Sequence, residues 1–290
     1  MRYLVFVTLL WAVSFNLIGV FLAGRVDSDF AVLTRVLLAG LAFLPFLRWR
    51  GVPRPFIVGT VLAGAMQFGI TYLLLYRAYG FLSVAEVLLF TIFTPVYITL
   101  INDALARRFS PWATASAIAA VLGSLIIRYD NLSGHFLTGF LLLQLANLTF
   151  AAGQVGYKHL VARYPSGQPQ HRTFGFFFAG ALLVALPSFL VFGNPARLPT
   201  DATQWGVLVF MGLGASALGF YLWNKGACLV DAGTLGIMNN MHIPAGLLIN
   251  LLLWHSDANL PRLLAGAAVM LAALMLNLRF GDRDRIPVRA

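Results

Sequence analysis

Charge is what this sequence has least of. Asp, Glu, Lys and Arg make up 10% of its 290 residues, while 60% are hydrophobic. Soluble domains carry roughly 25% charged residues, and a water-facing surface cannot be built from the mixture found here. Cysteine is nearly missing: Cys228 stands alone, which excludes an intramolecular disulfide and a thiolate metal cluster. Neither a paired-aspartate metal motif nor H-E-x-x-H occurs, so no metal or other cofactor is expected. Tracts of Gln/Asn, Ser or charge are also missing, which leaves no disordered arm beyond a short Arg/Asp tail from Arg279.

What is present is apolar sequence in continuous runs of about 18–23 residues. Inside lipid every backbone N–H and C=O needs a partner, so only helices or a closed barrel can span. Runs of this length select helices over the roughly ten-residue alternating strands of a barrel. The spans fall near Tyr3–Ala23, Phe30–Leu47, Phe56–Tyr76, Leu82–Ile101, Trp112–Ile127, Leu137–Leu160, Thr173–Phe192, Gln204–Asn224, Thr234–Trp254 and Leu260–Phe280. Arg2 before the first run imitates a signal peptide, but no A-x-A-like cleavage site follows, so the run is read as a retained helix.

The net charge of +10 is scattered over short loops, which favours a lipid-embedded chain over a nucleic-acid binder. With the N-terminus in the cytoplasm, fourteen of the twenty Lys and Arg residues fall on inside segments, five on outside loops, and Arg35 within a span. The positive-inside bias therefore puts both termini in the cytoplasm.

Two stretches align without a gap at an offset of 149: residues 72–97 and 221–246. Tyr72-Leu73 meets Tyr221-Leu222, Ala78 meets Ala227 and Pro95 meets Pro244. Each stretch reads as a helix, a very short turn, and a helix with a proline near its middle. The runs LLAGLAFLP and FFAGALLVALP occupy the second helix of each half. The expected architecture is an all-α multi-pass membrane protein of ten transmembrane helices in two inverted five-helix repeats. The repeats cover 1–130 and 131–281, and 282–290 forms a short cytoplasmic tail. Five helices per half forces opposite topologies on the copies, a construction used by secondary transporters with a midplane substrate site.

WAVSFN in the first span and FAAGQVGYKHL in the sixth, on this ten-helix plan, resemble the EamA family of the drug/metabolite transporter superfamily. The stretches VDAGTLGIMNNMHIPAGLLIN, LFTIFTPVYITLI and FLAGRVDSDFAVLTRV resemble the bacterial biotin carriers within that family. The resemblance implies biotin uptake across the bacterial inner membrane by one polypeptide, with no ATPase subunit and no enzymatic step. The lipid bilayer is the expected environment, and the chain is expected as a monomer or weak homodimer.

Biotin offers an apolar bicycle, a ureido group that donates and accepts hydrogen bonds, and a carboxylate on an alkyl chain. Asn239, Asn240 and His242 lie early in the ninth span, and an Asn amide suits a ureido group. Interhelical hydrogen bonding is the competing role for these residues. Pro244 follows Asn240 by four residues and removes the helical donor to the Asn240 carbonyl. Asn147 lies near the middle of the sixth span, with Tyr157 and Lys158 toward its inner end. Lys158 either meets a carboxylate at the exit or snorkels to the interface. Gln67, Tyr72, Trp11, Phe90 and Tyr97 complete a partly aromatic candidate pocket.

Arg35 and Glu86 are charges inside spans at similar depth, which predicts an ion pair with Arg77 as a further partner. In a functional alternative, Arg35 attracts an anionic substrate and Glu86 takes a proton. Two rival functions remain: export of amino acids or other metabolites on the same scaffold, and intramembrane serine proteolysis by Gly214-Ala215-Ser216 with His242. Small-residue helix packing accounts better for the serine motif.

Overall fold

The computed structural model describes residues 1–82, 90–107, 136–164, 168–254 and 260–280, with isolated positions between 87 and 122. These residues are almost entirely helical, with no strand among them. In chain order come α1 (Arg2–Leu22), α2 (Ser28–Phe46), α3 (Arg54–Ala78), the shorter α4 (Thr91–Ala106), α5 (Leu137–Arg163), α6 (Gln170–Phe192) and α7 (Ala202–Ala227). The chain continues through α8 (Ala232–Asn240), α9 (His242–Trp254) and α10 (Leu260–Phe280). Six of these, α1 to α3 and α5 to α7, are long and apolar enough to cross a membrane. Most of the predicted fifth span, and most of the first half of the fourth, lies outside the described residues.

Outward faces confirm the solvent. Leu9, Leu41, Leu62, Leu183 and Leu190 are each more than half exposed, an arrangement that only a lipid surface makes favourable. The chain is a multi-pass helical membrane protein. Local signals fix several helix starts: Asp27, Asp201 and Asp231 each accept the backbone N–H three residues on, at 2.8 Å, and cap α2, α7 and α8.

Two glycines set the tightest crossing. A Cβ on Gly64 would lie 1.8 Å from the Phe177 carbonyl oxygen, and one on Gly180 would lie 1.8 Å from that of Val61. Each helix thus presents a bare backbone to the other, and α3 and α6 meet closer than any side chain allows. Gly180 belongs to the FFAGALLVALP run noted in the sequence.

Three helices carry π-helical segments: Ile18–Leu22 in α1, Ala65–Ile70 in α3 and Phe210–Leu218 in α7. Hydropathy does not register them, because a single wide turn leaves the apolar run intact. The predicted ninth span, read as one helix, is divided at Met241 into α8 and α9. Pro244 lacks the N–H that would close the ladder there. A comparable interruption opens α4, where a 3₁₀ turn at Thr91–Phe93 precedes Pro95.

Candidate functional site

The interruptions in α4 and at Met241 release backbone carbonyls inside the bundle, where each needs a donor. Side chains supply them. The Phe90 carbonyl accepts from Asn147 Nδ2 at 2.9 Å and from Gln144 Nε2 at 3.1 Å. The Thr91 carbonyl accepts from the Thr94 hydroxyl at 2.8 Å, and the Ile92 carbonyl from Asn240 Nδ2 at 2.9 Å. Across the second break, His242 Nδ1 donates to the Asn239 carbonyl. The two broken regions also touch directly, since a Cβ on Gly236 would lie 3.1 Å from that of Pro95.

The π segments are served in the same way. The Trp11 indole N–H reaches the Ala215 carbonyl at 3.0 Å, and the Thr71 hydroxyl reaches the Met66 carbonyl at 2.8 Å. The 3₁₀ turn of α4 and the residues flanking the break at Met241 border one space, through Thr91, Thr94, Asn239 and His242.

That space is a small cavity of about 60 Å³. Its apolar wall is Trp11 and Phe15 of α1, Tyr72 and Leu75 of α3, and Leu143, Ala146 and Phe150 of α5. Polar positions are few: Thr71, Thr91, Thr94, Asn147, Asn239 and His242. Both asparagines spend their N–H groups on backbone carbonyls, Asn147 on Phe90 and Asn239 on Leu235 at 2.8 Å. Their side-chain oxygens remain as acceptors. His242 behaves alike. With Nδ1 donating to a carbonyl, the neutral ring carries its lone pair on Nε2, which is buried without a partner among the described residues. Phe15 stacks on the imidazole at 5.0 Å and 15° and holds its plane. The cavity therefore combines aromatic walls with three acceptor atoms and suits a compact apolar ring that carries N–H donors.

One side of the cavity is closed by rings. Trp11 packs against Trp223 at 4.8 Å, Phe220 at 5.3 Å and Phe150 at 6.0 Å, and the Trp223 N–H is held by Gln154 Oε1.

Of the residues expected from sequence, Trp11, Tyr72, Asn147, Asn239 and His242 line the cavity. Asn240 lies at the crossing of the breaks. Phe90 packs its ring on Phe140 at 5.0 Å, and the Tyr97 hydroxyl donates to Gln144 Oε1 at 3.2 Å, which steadies the amide beneath Asn147. Gln67 is fully buried against Gly153. Tyr157 and Lys158 sit three turns further along α5: Tyr157 packs edge-on to Phe174, and the Lys158 ammonium donates to the Val230 carbonyl. Sequence reasoning passed over Phe15, Phe150 and the three threonines. Thr91 and Thr94, next to Pro95, and Gln144, one turn before Asn147, were the signals available.

Arg35 is fully buried in α2. Its Nε donates to Ser216 Oγ at 3.1 Å and its Nη1 to the Tyr76 hydroxyl at 3.2 Å, while its guanidinium carbon lies 4.2 Å from the Tyr72 ring centroid. Glu86, its predicted partner, lies outside the described residues. Arg77 pairs instead with Asp29 at 3.2 Å and donates to Ser188 Oγ, because α2, α3 and α6 converge at that end of the bundle. The proposed Ser–His pair does not form: Ser216 is held by Arg35, and His242 by Asn239.

A multi-pass helical bundle with broken helices around a small polar-and-aromatic cavity is the build of a solute carrier. Residues 2–129 and 137–278 each match the EamA-like transporter family, and the chain belongs to that family. It is 64% identical over 284 residues to a probable biotin transporter of Pseudomonas aeruginosa, covering 98% of this chain and 99% of that protein. Over 278 residues it is 52% identical to the biotin transporter of Escherichia coli K12, covering 96% of this chain and 92% of that one. A protein named biotin transporter from Salmonella typhimurium is 53% identical over the same length. A solved crystal structure shares the fold, with a TM-score of 0.76 at 20% identity over 97% of this chain and 98% of its own.

Proposed function

We propose that this chain carries biotin into the bacterial cytoplasm as a single-polypeptide secondary transporter, with the ureido ring bound in the cavity between α1, α3, α4, α5, α8 and α9. The observation that carries the reading is identity of 52–64% over nearly the whole chain to proteins named biotin transporters. The cavity's chemistry agrees. The Asn147 and Asn239 side-chain oxygens and His242 Nε2 offer acceptors to the two ureido N–H groups, and the rings of Trp11, Phe15 and Phe150 cover the bicycle.

Ten spans in two inverted halves, with both termini inside, complete the proposal. The family match falls twice on the chain, once in each half. The offset of 149 carries the 3₁₀ turn at Ile92 onto the break at Met241, and the π segment of α3 onto that of α7. In this orientation Leu75 and Leu143 lie toward the periplasm, and the Trp11–Trp223–Phe220 cluster closes the cytoplasmic side. The cavity is then the outward-facing one, and alternating access exchanges the open and closed halves.

The test is uptake of labelled biotin by bacterial cells lacking their own importer, with and without this chain. Restored uptake at low external biotin supports the assignment. No uptake, with the chain confirmed in the membrane, refutes it and returns the scaffold to another metabolite.

A further inference from the structure

Arg35 is a full charge with no aqueous contact, and no carboxylate among the described residues neutralises it. Two of its nitrogens meet neutral hydroxyls, those of Ser216 and Tyr76. The third, Nη2, is buried without a hydrogen-bond partner among the described residues. Aromatic faces do the rest: Tyr72 at 4.2 Å, Phe68 at 5.7 Å and Tyr76 at 5.9 Å. Ring contacts are weaker than an ion pair, and a lone charge at membrane depth is retained where it serves a pathway. Tyr72 is shared. One neighbour of its ring is this guanidinium, and the ring itself lines the cavity. The charge stands one ring away from the ligand space, with an unused donor.

The guanidinium is also oriented. With Nε and Nη1 pinned, the group left to meet a carboxylate is Nη2, a charged donor held in a fixed plane. The other buried cation of the predicted site, Lys158, is engaged with the Val230 carbonyl at the far end of α5. Arg77 already has Asp29.

We propose that Arg35 is the carboxylate-recognition residue of this cavity, with Tyr72 as the movable wall between guanidinium and ligand. The inference rests on the biotin reading and deepens it. The ureido ring sits among Asn147, Asn239 and His242, and the alkyl chain runs past Tyr72, which turns aside to let the carboxylate meet Nη2. Until that contact forms, a charge with no carboxylate partner among the described residues draws an anionic ligand into an otherwise apolar space.

The test compares biotin with its neutral primary amide as competitors of labelled-biotin uptake. In the wild type the amide competes at least tenfold less well than biotin. Arg35→Gln lowers the affinity for biotin at least tenfold, leaves the amide near its wild-type value, and shrinks the gap to under threefold. Arg35→Lys, which keeps the charge, retains a preference for biotin. Arg35→Met, which fills the same volume without a bare polar group, serves if the Gln variant fails to accumulate, with the same result expected. Equal losses for both competitors, or a wild-type preference surviving in Arg35→Gln or Arg35→Met, overturns the proposal while the biotin reading stands. Absence of biotin uptake by the wild type removes the biotin reading instead.

Discussion

His242 has two nitrogens with separable tasks, and two substitutions pull them apart. Nδ1 holds the Asn239 carbonyl at the helix break, and Nε2 is the acceptor assigned to the ligand. His242→Asn keeps a side-chain N–H near the Nδ1 position and deletes Nε2. His242→Phe keeps a ring to stack on Phe15, 5.0 Å away, but deletes both nitrogens. One neutral hydrogen bond contributes about 0.5–1.5 kcal/mol, which at 1.4 kcal/mol per tenfold weakens biotin binding about 2- to 12-fold in both variants. Only His242→Phe also strands the Asn239 carbonyl, which costs about 1–3 kcal/mol of stability. Uptake kinetics read the first effect, and thermal unfolding of the purified protein in detergent reads the second. The expected pattern is a raised KM in both variants and a lowered Tm in His242→Phe alone. A wild-type KM in His242→Asn refutes the acceptor role. Equal Tm losses in the two refute the division of labour.

Asn240→Leu removes the donor to the Ile92 carbonyl and lowers Tm, with a smaller effect on KM than His242→Asn; the reverse ranking moves Asn240 into the binding site. Gly180→Ala places a methyl 1.8 Å from the Val61 carbonyl oxygen, so α3 and α6 separate and the loss is at least the roughly 1–3 kcal/mol of an overpacked core. An unchanged melting temperature contradicts that crossing. Burial pushes the Cys228 thiol, in the turn after α7, up to about 11, so it is a neutral thiol at pH 7 and maleimide labelling is slow. Labelling accelerates as pH rises toward that value, and also during biotin transport if the cytoplasmic half opens. Rapid labelling at pH 7 in the resting protein contradicts the packing of that turn.

The membrane solvent was legible because it is a property of composition, and the spans because apolar runs are long. The breaks were legible at Pro95 and Pro244, where a missing N–H is written in the sequence. Depth was legible for Asn147, Asn239 and His242, which do meet at the cavity. Lateral position was not: Asn240, adjacent to Asn239, turns to the helix crossing, and only packing decides which of two neighbours faces the space. Tyr157 and Lys158 lie ten and eleven residues beyond Asn147, about 15 Å along a helix, so they serve the far end of α5. The π segments left no trace in hydropathy. The stack of Arg35 on Tyr72 depends on how α2 meets α3, which a pattern along one chain does not encode.

The central claim is that this polypeptide alone moves biotin through the cavity. The direct measurement is uptake of labelled biotin by liposomes containing only the purified chain, with His242→Phe as the matched control. The account predicts saturable uptake by the wild type and, at biotin concentrations below the wild-type KM, uptake about 2- to 12-fold slower in the control. Uptake that requires a second protein, or that is identical in the control, contradicts it.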